Sequence, residues 1–110
     1  MLPVRVSVDA VIPAEKLSRY LLVPRPWDDK SRFLAQAGFL ITDPIALDRA
    51  IRRMAAAYDA VEDGQNDYGT FFRLEGDLVG PNGRSLPVVL IWLQWSLDGT
   101  FHFVTLKPRR

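Results

Sequence analysis

A single histidine, His102, stands in a chain of 110 residues that has no cysteine. A paired-His metal site and a His–His acid–base couple are thereby excluded, and His102 is left as a lone general acid or base near neutral pH. The cations Lys16, Arg19, Lys30 and Arg32 are interleaved with Tyr20 and Trp27. Basic side chains among aromatic rings are the composition of a surface for single-stranded nucleic acid. In the closing run FHFVTLKP, Thr105 and Lys107 alternate in step with Phe101 and Phe103. With Gln94 or the Trp92/Trp95 pair they could form a shallow polar pocket. Glu75 and Asp77, two apart beside Arg73, have the chemistry for acid–base work or a metal. Alternate charges also mark the wet face of any one-sided sheet, and that plainer reading is adopted. Gly80–Gly83 lacks the spacing of a phosphate loop and no helix follows it. The expectation is no metal and no cofactor.

The elements that would position these groups follow from periodicity. Val4, Val6 and Val8 alternate with polar residues, which suits a short strand or an arm over residues 1–12. Pro13 opens a first helix whose stripe is Leu17, Tyr20 and Leu21, ending before Pro24. Asp28 or Asp29 caps a second helix with an inner stripe of Phe33, Leu34 and Ala37, closed by Gly38 and Phe39. Thr42 or Asp43 caps a third, with Pro44 in its first position and Leu47, Ile51, Met54 and Tyr58 on one side. Beyond Tyr58 the period shortens. Asp59 to Asp63 suits a short strand, and Gly69 to Val79 alternates between one buried and one wet face. Pro81-Asn82-Gly83 is a hairpin turn, because Asn and Gly accept positive φ. Val88 to Trp95 is apolar at almost every position, as in a strand covered on both faces. Asp98-Gly99 turns the chain into a last strand, Phe101 to Leu106. Helices followed by strands predict α+β: three N-terminal helices packed on one face of a three- to four-stranded antiparallel sheet. Residues 1–110 form one domain, with a helical part over 13–58 and the sheet over 59–107.

Composition sets outer limits. The chain is 48% hydrophobic and 25% charged, near the globular average. A core burying somewhat over ~60% of the unfolded surface is within reach at this length. The N-terminus has no signal-like apolar segment, and the apolar run Val88–Leu93 is far shorter than a membrane span. A soluble cytoplasmic protein is expected. Net charge is only +1, but it is segregated. Residues 1–56 hold nine Lys/Arg against six Asp/Glu, and residues 57–106 hold two against seven. A polyanion would prefer the first half and the basic tail.

Four phrases carry a resemblance: IPAEKLSRYLL, KSRFLAQAGF, YGTFFRLEGDLVGPNGRSLPVVLIWL and FHFVTLKP. In that order they resemble a family of small bacterial proteins of unknown function with KLxxYLL, GPxGR and FVTxxP blocks, over roughly residues 11–108. Similar domains end some secreted toxins, and the family looks distantly like the barnase/EndoU/colicin/RelE superfamily of metal-independent RNases. The resemblance implies acid–base cleavage of RNA, with matching positions at Lys16, Lys30, Arg84 and Thr105. His102 joins them as the one imidazole. Toxin-like members carry a histidine between the first two helices; this chain reads VPRPWDDK there.

The leading expectation is a non-catalytic protein-interaction or oligomerising domain whose partner surface includes Trp92, Gln94, Trp95 and Phe103. The alternative is a toxin-like RNase using Lys16, Lys30, Arg84, His102 and Thr105, with RNA as its partner.

Overall fold

The structure is a computed structural model that describes residues 3–26 and 30–109. Its frame is one hairpin. Strand β2 (Gly69–Val79) pairs antiparallel with β3 (Ser85–Trp95) along their whole length, from Gly69 opposite Trp95 to Val79 opposite Ser85. Strand β1 (Val61–Gln65) joins the outer side of β2, and β4 (Phe101–Pro108) the outer side of β3. The sheet is thus four-stranded and antiparallel, in the order β1-β2-β3-β4. Strict alternation built it: Phe72, Leu74, Leu78, Leu86, Val88, Leu90 and Trp92 are buried, and their odd-numbered neighbours are not.

The same alternation corrects the expected burial of β3. The strand is central, yet Val89, Ile91 and Leu93 are only half-buried, so it is covered fully on one side alone. The apolar run is longer than burial requires. Trp92 illustrates the trade on the covered side. Its ring is fully buried and meets Phe103 edge-on at 5.5 Å, while its indole N–H finds no acceptor. Removing about 200 Å² of ring from water is worth roughly 5 kcal/mol. The orphaned donor costs about 1–3 kcal/mol. Burial wins.

Helical structure precedes the sheet but is less regular than three equal helices. α1 (Ala14–Lys16) is a single turn that widens into a π turn over Leu17–Leu21, closed by the Leu22 N–H donating to the Leu17 carbonyl at 3.0 Å. The wider turn puts Leu17, Leu21 and Leu22 inside and rotates Tyr20 out to 58% exposure. Tyr20 is therefore not on the apolar stripe, contrary to its spacing. α2 (Lys30–Ala35) buries Leu34, and its expected caps Asp28 and Asp29 lie outside the described residues. α3 (Pro44–Ala57) is the one long helix among the described residues. Asp43 stands at its N-cap without a side-chain cap bond, and Pro44 takes the first turn. Leu47, Ile51 and Met54 enter the core shared with Leu74 and Leu90, whereas Tyr58 is the C-cap and partly exposed.

The N-terminal arm fixes where α1 begins. Val4 bridges to Ala60, and Val11 bridges in parallel to the outer edge of β4 at His102. The Arg52 guanidinium, paired with Asp48 at 2.8 Å, also donates to the Ala10 carbonyl at 2.8 Å. The arm is thus held at both its start and its end, and it feeds Pro13 into α1 beside β4. The β2–β3 turn is pinned as firmly, through Asn82. Its backbone N–H donates to the Ala37 carbonyl at 3.2 Å and its side-chain amide to the Gln36 carbonyl at 3.1 Å, both just past the end of α2.

Candidate functional site: a basic cleft at the edge of the sheet

β4 does not alternate cleanly. Ile91 pairs with Thr105 and Trp92 with Phe103, so Val104 is an extra residue in a β-bulge. Beside the bulge the consecutive residues Phe103, Val104 and Thr105 line one cleft, Val104 through its backbone carbonyl. The opposite wall comes from α1, the π turn, the segment after it and α2: Lys16, Tyr20, Leu21, Arg25 and Lys30. The cleft has a volume of about 380 Å³. Its floor is apolar, from Leu21 and Phe103, and its described walls carry three cations and no carboxylate.

Both lysines are oriented. Lys16 Nζ donates to the bulged Val104 carbonyl at 2.9 Å, and Lys30 Nζ donates to Thr105 Oγ1 at 3.3 Å. Burial pushes the Lys16 ammonium below the ordinary lysine range, because an apolar wall disfavours the charged form. At the mouth, the Arg25 guanidinium lies over the Tyr20 ring with Cζ 5.0 Å from the centroid. A partly desolvated amine, two further cations and a hydroxyl around one cavity suit a phosphate ester. They offer charge, hydrogen-bond donors and an amine that releases its proton more readily than a free lysine does.

Of the residues singled out from the sequence, Lys16, Lys30 and Thr105 therefore meet. Arg84 does not: it is exposed in the β2–β3 turn, and its N–H serves the Asn82 side chain at 3.0 Å. His102 is turned to the other face of the sheet, where it stacks on Trp95 at 3.7 Å and 11°. Its Nε2 is 2.8 Å from Thr100 Oγ1, which lies 2.7 Å from Asp98 Oδ1. Since the Thr100 hydroxyl has one proton to give, donation to Asp98 leaves it an acceptor for an imidazole N–H. Those Thr100 bonds hold the Asp98 carboxyl below the usual carboxylate range. His102 thus has partners, which its sequence context did not reveal, but they tie it into the β3–β4 turn.

Trp92 and Phe103 are core residues, so neither offers a partner much surface. Gln94 donates to the Gly99 carbonyl at 3.1 Å, closing the same turn, and only Trp95 of the four lies on the uncovered face, 39% exposed. The expected sharing of one face by Phe101, Phe103, Thr105 and Lys107 fails: the bulge at Val104 shifts the phase, and Lys107 ends opposite Val89 in the open. Glu75 is paired with Arg73 at 3.2 Å and with Arg109 at 3.6 Å, and Arg73 also reaches Asp63 at 3.4 Å. Among the described residues no three His, Cys, Asp or Glu side chains gather as a metal site would need. Trp27 lies outside the described residues. Arg25 was missed from sequence, and its signal was available: a cation five residues beyond Tyr20, in the middle of the same basic block.

Comparisons with known proteins agree with this frame. The model of a domain of unknown function, DUF6883, matches residues 5–110. No curated protein matches. Among solved structures, a chain of a contact-dependent growth inhibition toxin–immunity protein complex from Klebsiella pneumoniae 342 has a similar fold, with a TM-score of 0.70. Identity is 19%, and the match covers 91% of this chain and 100% of that one. Among the described residues no helix is long and apolar enough to cross a membrane.

Proposed function

The chain belongs to the DUF6883 family, whose function is unknown, and from its cleft we propose a metal-independent endoribonuclease of the toxin type. One observation carries the proposal: Lys16, Arg25, Lys30 and the Thr105 hydroxyl converge on a single cavity with no described acid among them. That donor set fits a phosphodiester and, among the described residues, includes no carboxylate or imidazole. In its neutral form, the Lys16 amine accepts the proton of the ribose 2′-hydroxyl as the 2′-oxygen attacks phosphorus. The O2′–P bond forms and the P–O5′ bond breaks. The Lys30 ammonium gives a proton to the departing 5′-oxygen, while Arg25 at the mouth adds positive field that draws the anionic strand in. Thr105 fixes the Lys30 amine. This reading uses three of the five sequence candidates, adds Arg25, and leaves His102 and Arg84 without a catalytic role. The fold likeness to a chain of a toxin–immunity complex supports a toxin-related setting.

The test is cleavage of end-labelled RNA by the purified protein in the presence of a chelator. Products should end in a 2′,3′-cyclic phosphate and a 5′-hydroxyl, and DNA of the same sequence should stay whole. Lys30→Ala should slow cleavage about a hundredfold or more, as loss of a positioned general acid does. Thr105→Ala should slow it less. Both should relieve any growth arrest on expression. Intact RNA after long incubation would sink the proposal.

A second reading rests on the other face of the sheet. Phe71, Val89, Ile91 and Leu93 are half-buried there and end at the Trp95–His102 stack. Such a face could seat a second copy of the chain, making this a non-catalytic oligomerising domain. Light scattering should then give a dimer that Trp95→Asp returns to monomer without unfolding it. A monomeric wild type would dismiss it.

A further inference from the structure

We infer that the cleft takes an unpaired nucleotide, its base stacked on the Arg25–Tyr20 pair and its phosphate between Lys16 and Lys30, so that the substrate is single-stranded RNA. The inference rests on the phosphodiester reading and adds the part of the substrate that lies beyond the phosphate. Tyr20 is 58% exposed although it lines the cleft, and a guanidinium is already laid across its ring at 5.0 Å. A planar cation on an aromatic face is a stacked platform assembled before any ligand arrives. Nucleobases stack on such platforms with little regard to sequence, because every base has a π-face.

The rest of the cleft sets the polarity of the bound nucleotide. Leu21 and Phe103 give an apolar floor against which a base or ribose edge loses no hydrogen bond. The two ammonium groups sit deeper, held by the Val104 carbonyl and the Thr105 hydroxyl. A base entering at the platform therefore brings its own phosphate to the lysines. A duplex cannot do this. Its bases are stacked on one another inside the helix, and it presents a protein with phosphates, 2′-hydroxyls and base edges but no free base face. A cavity of about 380 Å³ with one platform also limits the subsite to a single residue of the strand.

The test is fluorescence anisotropy with three uncleavable 2′-O-methyl RNA probes: a single strand, the same sequence as a duplex, and a strand with one abasic position. At one fixed salt concentration the wild type should bind the single strand on the order of tenfold more tightly than the other two, the scale of one base–aromatic stack. Tyr20→Ala should close that gap by weakening the single strand alone. Tyr20→Phe, which keeps the ring, should preserve it. Equal binding of single strand and duplex, or a Tyr20→Ala loss shared by all three probes, would overturn the subsite. Binding of the abasic strand that drops in Lys30→Ala reports on the phosphodiester reading separately. If no probe binds, that reading falls and takes the subsite with it.

Discussion

Lys16→Arg should fold as the wild type does and cleave RNA at least about a hundredfold more slowly. The substitution keeps the positive charge and the hydrogen-bond donors that now serve the Val104 carbonyl, but a guanidinium does not give up its proton in a protein. What is removed is the ability to exchange a proton, and burial against an apolar wall has brought that ability toward neutral pH in Lys16. The pH profile separates this role from simple electrostatics. Wild-type rates should rise with pH as Lys16 loses its proton, and level off at an apparent pKa below that of a free lysine. The residual activity of Lys16→Arg should lack that rise. Stability carries the same signature with a definite sign. The folded pKa lies below the unfolded one, so between the two values the unfolded chain binds more protons, and stability climbs with pH across that window. Lys16→Arg should flatten the climb. Initial rates on labelled RNA and melting curves over the same pH series measure both. A Lys16→Arg protein cutting at the wild-type rate would reduce Lys16 to a fixed charge and move the proton step elsewhere.

The proton role could not have been read from the sequence, and the reason is geometric. Lys16 owes its environment to Val104, 88 positions away, whose carbonyl it meets at an irregular point of β4. Nothing in FHFVTLKP announces a bulge, since Val and Thr fit a regular strand as well as an irregular one. The π turn is equally silent. It moves Tyr20 from the apolar stripe to the cleft mouth by widening one turn of a helix whose leucines would satisfy ordinary spacing. By contrast β2 and the turn after it were legible almost to the residue, though β3 begins at Ser85, three residues before the apolar run. Alternation over Gly69–Val79 and the Asn-Gly turn are local signals, and no distant contact overrides them. Lys16, Lys30 and Thr105 came from a resemblance of phrases, which carries tertiary information that periodicity lacks. Arg84 came from the same source, but the Asn82 hydrogen bonds give its turn a fastening task instead.

That fastening leads to the largest expected loss of stability, from Gly80→Ala. A Cβ at Gly80 would stand 2.0 Å from the Ala37 carbonyl oxygen and 2.5 Å from the Ala37 Cβ. The first is backbone and the second is fixed to it, so no side-chain rotation relieves the clash. Either the turn or the end of α2 must move. Overpacking of this kind costs about 2–3 kcal/mol, which for a domain of this size lowers Tm by about 10–20 °C. Gly83→Ala in the same turn supplies the comparison. Gly83 has φ of +86° and open space around it, so the added methyl meets only the backbone preference, worth about 1 kcal/mol. Thermal melts should therefore rank Gly80→Ala well below Gly83→Ala. Equal melting temperatures would show that the turn's contact with α2 carries no weight. The consequence reaches the cleft, because α2 begins with Lys30. Displacing the end of a six-residue helix tilts its start, and the 3.3 Å contact from Lys30 to Thr105 has little slack to absorb that. Below its melting temperature, Gly80→Ala should thus cleave more slowly than Gly83→Ala, so that one methyl group at the far end of α2 is read out as a loss of activity in the cleft.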